Sequence, residues 1–531
     1  MNSRTLALAG AAVCGLLFAT ACTDLTVAPK STVTSGNVFS DASSYRAFVA
    51  KLYAGLAVTG QQGGAGQPDL DPSFDEGFSQ YIRLWWQMNE LPTDEAIIAW
   101  NDGSLSELNS GNWGSSNAFL GAMYNRITFQ VTQANEFLRQ TTDAVLDSRG
   151  VTGPLRTEIR TYRAEARFLR ALSYWHAIDL FGNYILVTEN DPVGGPPPQR
   201  ATRQQIYDFL VSELTAIQGD MPAASAATYG RATTIANQML LAKVYLNAGV
   251  YTGTTHDPEA MAAVNAVIGS GIYSLAPAYL NNFKADNNTS PEIIFAVPAD
   301  GAHTQSYGNT NFLIHASCGG SMSNGTYGVD GCWWGLRLKP EAYAFYPAGD
   351  GRASYFYTSG QTVAVTDMFN FTNGIAAPKY QNVTSTGAPG SRTNFVDTDF
   401  PMFRLADAYL MYAELYLRGA GGTQQQALDD VNALRVRAYG DSSGVITAPE
   451  LTLDFILDER GRELLWEGHR RTDLIRFGAF TGNTRVWAWK GGVLGGQTTP
   501  ATLALYPLPA SELIANPNLC QNPGYGGTTC P

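Results

Sequence analysis

Charge is scarce in this sequence. Asp, Glu, Lys and Arg make up 15% of 531 residues, and 34 basic against 46 acidic side chains leave a net charge of -12. A chain with that balance repels phosphate backbones, so nucleic acid is not an expected partner. Histidine is scarcer still: His176, His256, His303, His315 and His469 are scattered, and neither a metal cluster nor a Ser-His pair is visible. There is no HExxH, no phosphate loop and no dinucleotide fingerprint, so no cofactor and no metal is implied. Nor is there an apolar run of the about 20 residues that a membrane-spanning helix needs. What the chain has instead is 54 Gly, 26 Tyr, 24 Phe and 10 Trp. That mixture predicts a loop-rich surface with more aromatic groups than packing requires, suited to neutral ligands.

The N-terminus reads as an address. Arg4 is the only charge before the apolar run Leu6 to Phe18, and small residues Ala19-Thr20-Ala21 precede Cys22. This is the pattern of a lipoprotein signal covering residues 1–21, with Cys22 as the lipidated residue and acyl chains as the membrane anchor. Cys14 leaves with the signal, so Cys318, Cys332, Cys520 and Cys530 remain. An even remainder in an oxidising compartment predicts two disulfides between sequence neighbours. Zinc is the rival reading, but neither pair has CxxC spacing and only His315 lies near one.

Helical periodicity dominates the rest. Arg163, Arg167 and Arg170 form a polar stripe in RTYRAEARFLRALSYWHAIDLFG, with Phe168, Leu169, Leu172, Trp175 and Ile178 on the remaining faces. GRATTIANQMLLAKVYLNAG is followed by PEAMAAVNAVIGSG, and PMFRLADAYLMYAELYLRG by TQQQALDDVNALRVRAYG. These are helix hairpins resembling degenerate tetratricopeptide pairs. The predicted class is mainly α, built on such pairs, with a long loop-rich and partly β insertion over 280–400. Residues 22–531 are read as one body: an N-terminal part 22–220, a central helix pair 221–279, the insertion, and a C-terminal part 401–531.

Six segments carry a family resemblance: RAEARFLRALSYWHAIDLFG, GRATTIANQMLLAKVYL, FRLADAYLMYAELYLRG, ALDDVNALRVRA, FILDERGRELLWEGHRRTDLIRFG and LYPLPASELIANPNLCQNPGY. In that order, with the lipoprotein start CTDLTVAP, they resemble the SusD/RagB family. The resemblance implies a SusD-like fold on the outer face of the outer membrane. It further implies a binding protein, not an enzyme, that caps a SusC-like TonB-dependent transporter and delivers oligosaccharide to it. A peptide-capturing lipoprotein of the same fold is the alternative, and a surface glycosidase a third reading.

Glu459, Glu463 and Glu467 recur every four residues, and a carboxylate pair is what glycoside hydrolysis needs. Interleaved Arg460, Arg462, Arg470, Arg471 and Asp473 favour paired, ionised side chains in one charged helix instead. The acidic stretch Asp69, Asp71, Asp75 and Glu76 lacks the spacing of a calcium loop and reads as solvated.

Aromatic residues give the clearer site signal. Trp85, Trp86, Trp100 and Trp113 lie among Arg83, Gln87, Asn89, Asn101 and Asp102. An indole covers the apolar face of a pyranose while planar polar groups engage its hydroxyls. Core packing is an equal reading for Trp85, Trp86 and Trp113. Trp100 sits in NELPTDEAIIAWNDG, which resembles the starch-binding branch of the family, as does the spacing from Asp75 through Arg83 to Trp100. Trp100 is therefore expected to be the stacking platform, with Asp75, Arg83 and Asn101 as hydroxyl partners. Tyr327, Trp333 and Trp334, in or beside the Cys318 to Cys332 loop, form a second expected set.

Overall fold

Arginines spaced along one helix bind it to both neighbours. Arg163 donates to the carbonyl of Leu138 at 2.7 Å, while Arg167 and Arg170 reach Glu213 at 2.7 and 2.6 Å. The polar stripe read in the sequence thus clamps helix Gly153–Leu180 between Ala118–Gln140 and Arg203–Ile217. The computed structural model describes residues 38–39, 41–60, 63–64, 68–70, 74 and 77–527. Within it, the described residues from Tyr45 onward form one compact unit. The signal segment, Cys22, Asp71, Asp75, Glu76 and Cys530 lie outside the described residues.

The stack continues through the predicted hairpins. Thr234–Leu246 packs on Arg203–Ile217 and on Asp257–Gly269, and Leu405–Leu417 then docks on Asp257–Gly269 and pairs with Gln424–Tyr439. The scaffold is therefore continuous across the stretch between Gly269 and Leu405, which is looped out. Local chemistry starts and stops these helices. Asn117 accepts from the Phe119 and Leu120 N–H groups, Thr202 and Gln205 make a reciprocal capping box, and Gly440 ends its helix at φ 76°. Each such cap is worth about 1 kcal/mol.

Two antiparallel strand pairs tie the insertion down. Ala96–Ile98 pairs with Leu336–Leu338, and Ile293–Val297 pairs with Phe400–Arg404. Helix Asn309–Ala316 also lies inside the insertion. It is buried on every side, so it shows no amphipathic period in the sequence.

The charged helix is shorter than the sequence predicts. It runs Leu453–Glu463, and a second begins at Arg470. Between them Trp466 and Gly468 take φ of 60° and 78°, and a Cβ on Gly468 would lie 2.2 Å from the Trp85 ring. Only glycine fits there. Glu467 therefore projects from a turn, not from the helix face.

All three glutamates are buried in one ionic network. Arg352, from the insertion, donates to Glu459 at 2.7 Å and Glu463 at 3.0 Å. Arg404 donates to Glu463 at 2.7 Å and to Glu467 at 2.6 Å, and Lys379 adds a contact to Glu467 at 2.7 Å. Burial alone would raise Glu459, but Arg352, Arg462 and Arg435 outweigh it and bring the carboxyl down to about 2. Glu463 is likewise held well below the usual carboxylate range, with Arg437, Arg404 and Arg352 overriding burial. The network joins insertion, strand and helix, and the Glu459 and Glu463 carboxylates are ionised partners of guanidinium groups.

Candidate functional site

Strand pairing brings the aromatic residues together. Beyond the pair Ile98 and Leu336, the ladder continues with the Ala99 N–H donating to Gly335 O at 2.9 Å. This sets Trp100 beside Trp333, and its indole N–H donates to the Trp333 carbonyl at 2.8 Å. A Cβ on Gly335 would approach the Trp100 ring to 2.8 Å, so the glycine lets the indole lie on the backbone.

Trp100 is half-buried and ringed by aromatic groups. Its ring centroid lies 5.8 Å from Phe312, 6.3 Å from Trp333 and 6.5 Å from Phe78. Trp333, also half-buried, stacks on His315 at 4.5 Å and lies 6.0 Å from Tyr307, which in turn meets Phe395 at 5.2 Å. Tyr307, Trp333 and Trp100 thus form one half-buried arc, backed by buried rings. Burial lowers His315, so its ring is neutral beneath Trp333 at neutral pH.

Arg83 lies under this arc. It is 3% exposed, with its guanidinium 3.9 Å from the Phe78 ring centroid and 4.4 Å from that of Phe312, and it donates to Tyr307 O at 3.2 Å. The sequence suggests a hydroxyl partner; the structure puts a cation beneath aromatic faces, where cation–π attraction stiffens them. Its helix, Tyr81–Glu90, is capped by Gln80, whose side-chain oxygen accepts from Arg83 N at 2.7 Å and from Asn309 N at 2.9 Å. One amide therefore fixes the helix carrying Arg83 against the helix carrying Phe312.

The other expected residues separate. Asn101 is exposed next to Trp100. Trp334 is 50% exposed. Tyr327 is buried, its carbonyl accepting from Asn382 N, because Gly328 at φ 74° brings the chain hard against Asn382. Its ring takes no part in the arc. Trp85, Trp86 and Trp113 are all buried and belong to the core. Asp75 is not described. Sequence reasoning missed Tyr307 and Phe78; both stand in polar loop sequence, AHTQSYGN and DEGFSQ, with no periodic or motif signal.

Cys318 and Cys332 form the expected disulfide, and Trp333 directly follows the loop they close. Cys520 is also disulfide-bonded. The acidic residues of NELPTDEA are structural: Asp94 accepts from Arg470 at 2.7 Å and Glu95 from Trp466 N at 3.2 Å. One run with nucleophile-elbow spacing, Gly440 to Gly444, closes a helix instead of joining strand to helix, and Asp441 in it accepts from Ser443 N at 2.8 Å. Among the described residues, no cluster of three His, Cys, Asp or Glu side chains could hold a metal ion, and no helix is long and apolar enough to cross a membrane.

The stack of helix pairs with its looped-out insertion superposes on solved structures of the SusD superfamily. The chain belongs to the SusD family, whose sequence profile matches residues 269–525. It is 36% identical to the starch-binding protein SusD of Bacteroides thetaiotaomicron, over 94% of this chain and 95% of that one. It is 24% identical to SusD-like protein P2 of Formosa agariphila, covering 80% of this chain and 84% of the relative. Among solved structures, surface glycan-binding protein A from Bacteroides fluxus superposes with a TM-score of 0.70 at 21% identity, covering 91% of this chain and 99% of that one. The Bacteroides thetaiotaomicron surface glycan-binding protein A in complex with laminarihexaose gives 0.69 at 22% identity, covering 90% and 98%.

Proposed function

We propose that this protein is a cell-surface lipoprotein that binds an oligosaccharide, a starch-like α-glucan, and delivers it to a SusC-like TonB-dependent transporter without hydrolysing it. The observation that carries the reading is the arc of Tyr307, Trp333 and Trp100, three half-buried aromatic faces on a rigid backing. Successive pyranose rings of one chain stack on such faces, and the exposed amide of Asn101 meets hydroxyls at the edge. Asp75, expected from the sequence as a further polar partner, lies outside the described residues. The identity to a starch-binding relative over nearly the whole chain favours α-glucan over other glycans. The mature body is residues 22–531, anchored in the outer membrane through lipid on Cys22.

Trp100→Ala tests this. Binding of maltoheptaose, read by calorimetry, should weaken at least tenfold, or about 1.4 kcal/mol. The melting temperature should move little, whereas loss of a core indole such as Trp86 costs about 3 to 5 kcal/mol. Unchanged affinity, or an unfolded variant, would remove Trp100 from the site.

A further inference from the structure

Trp333 and Trp334 are consecutive, yet their rings share no ring partner among the described residues. Trp333 belongs to the arc. Trp334 lies across Phe371, centroids 5.9 Å apart, and its indole passes so close to Gly319 that a Cβ there would sit 2.9 Å from it. The glycine makes room for the ring. Trp334 also adopts φ 55°, a backbone region that bulky residues avoid. The surroundings over-determine it: Trp334 N–H donates to Cys318 O at 3.0 Å, its neighbours Trp333 and Gly335 donate to His315 O and Ala316 O at 2.7 and 2.8 Å, and the Cys318–Cys332 disulfide closes the loop. Arg337 fixes the facing segment by donating to the carbonyls of Met368, Asn370 and Asn373 at 2.8, 3.0 and 2.8 Å. A large apolar ring held at 50% exposure in a strained, braced conformation is what a functional surface shows.

The Gly319–Gly320 turn beside the ring also carries neutral polar groups. The hydroxyls of Ser321 and Tyr357 lie 2.9 Å apart, and the Gln361 amide stands beside Gly320 and Phe371. A flat indole next to hydroxyl and amide groups matches a neutral sugar, not a charged or purely apolar partner.

We propose that Trp334, with Ser321, Tyr357 and Gln361, forms a second carbohydrate-binding face that engages a distal segment of a glycan already held on the arc. This rests on the glycan reading of the arc. The peptide link between Trp333 and Trp334 makes the two faces adjacent, so one long or branched chain reaches both while a short one occupies the arc alone. The second contact is then intramolecular and raises affinity with chain length.

The test compares maltotriose with soluble amylose on the full mature protein. Trp334→Ala and Trp334→Gly should each weaken amylose binding about tenfold and leave maltotriose binding unchanged, whereas Trp100→Ala should weaken both. Trp334→Gly removes the strain, since glycine accepts positive φ, so its stability should match or exceed that of the wild type and any loss of affinity is not misfolding. In oxidative footprinting, amylose should protect Trp334 and maltotriose should not. Equal amylose affinity in wild type and Trp334→Gly would overturn the second face while leaving the arc intact. A wild type that binds neither glucan would overturn both. Unchanged glucan binding with lost transporter capture would reassign Trp334 to a protein contact.

Discussion

Glu463→Gln probes the ionic network that joins the insertion to the scaffold. One carboxylate oxygen of Glu463 accepts from Arg404 and Arg437, and the other accepts from Arg352 at 3.0 Å. A glutamine supplies one oxygen and one amino group, so at least one guanidinium would face a donor. All of these side chains are 5% exposed or less, so water does not repair the mismatch. Leaving a buried charge without its partner costs about 3 to 5 kcal/mol, a large share of the roughly 5 to 15 kcal/mol that stabilises a domain. Urea unfolding followed by circular dichroism should show that loss. Glucan affinity of the folded variant should be unchanged, because Glu463 does not touch the arc, and wild type should release no reducing sugar from bound glucan. A loss under about 1 kcal/mol would refute the energetic argument. Glucan turnover abolished by Glu463→Gln in a stable protein would refute the binding-protein reading.

Acid should loosen the same network. Glu459 titrates at about 2 in the fold against an ordinary 4.5, so its contribution, about 3 kcal/mol, is complete above pH 4.5 and is lost as pH falls toward 2; melting temperatures that stay level through that window would contradict it. Replacing both Cys318 and Cys332 with Ser should lower stability by about 3 kcal/mol, given the separation of 14 residues, and should weaken glucan binding because Trp333 follows the bridge directly; unchanged affinity would show that the arc needs no brace. Cys22→Ala should move the protein from the membrane fraction to the soluble fraction, and retention in the membrane would refute lipid anchoring.

Helix pairing was legible because amphipathic period and caps are local: the Arg163, Arg167 and Arg170 stripe already shows which faces meet neighbours. The Cys318–Cys332 bridge was legible from cysteine arithmetic. Helix Asn309–Ala316 was not, since burial on every side erases periodicity. Glu467 was misplaced on a helix because its turn depends on Gly468 approaching Trp85, a contact between residues far apart in sequence. The site followed the same division. Composition drew attention to the tryptophans near residue 100 and the family resemblance set Trp100 apart, but only long-range strand pairing places it beside Trp333 while Trp85 and Trp86 are buried. Tyr307 enters the arc through Gln80 and Asn309, which no local pattern announces. Arg83 points inward because it is sandwiched between nearby Phe78 and Phe312, a ring far along the chain whose approach no local pattern shows.

The most direct measurement is calorimetric titration of the soluble protein, starting after Cys22, against maltoheptaose, laminarihexaose and a mixed peptide pool at low and high salt. The account predicts saturable binding of maltoheptaose, weaker or no binding of laminarihexaose, none of peptide, and affinity nearly independent of salt because the ligand is neutral. Saturable peptide binding with no glucan binding would contradict it.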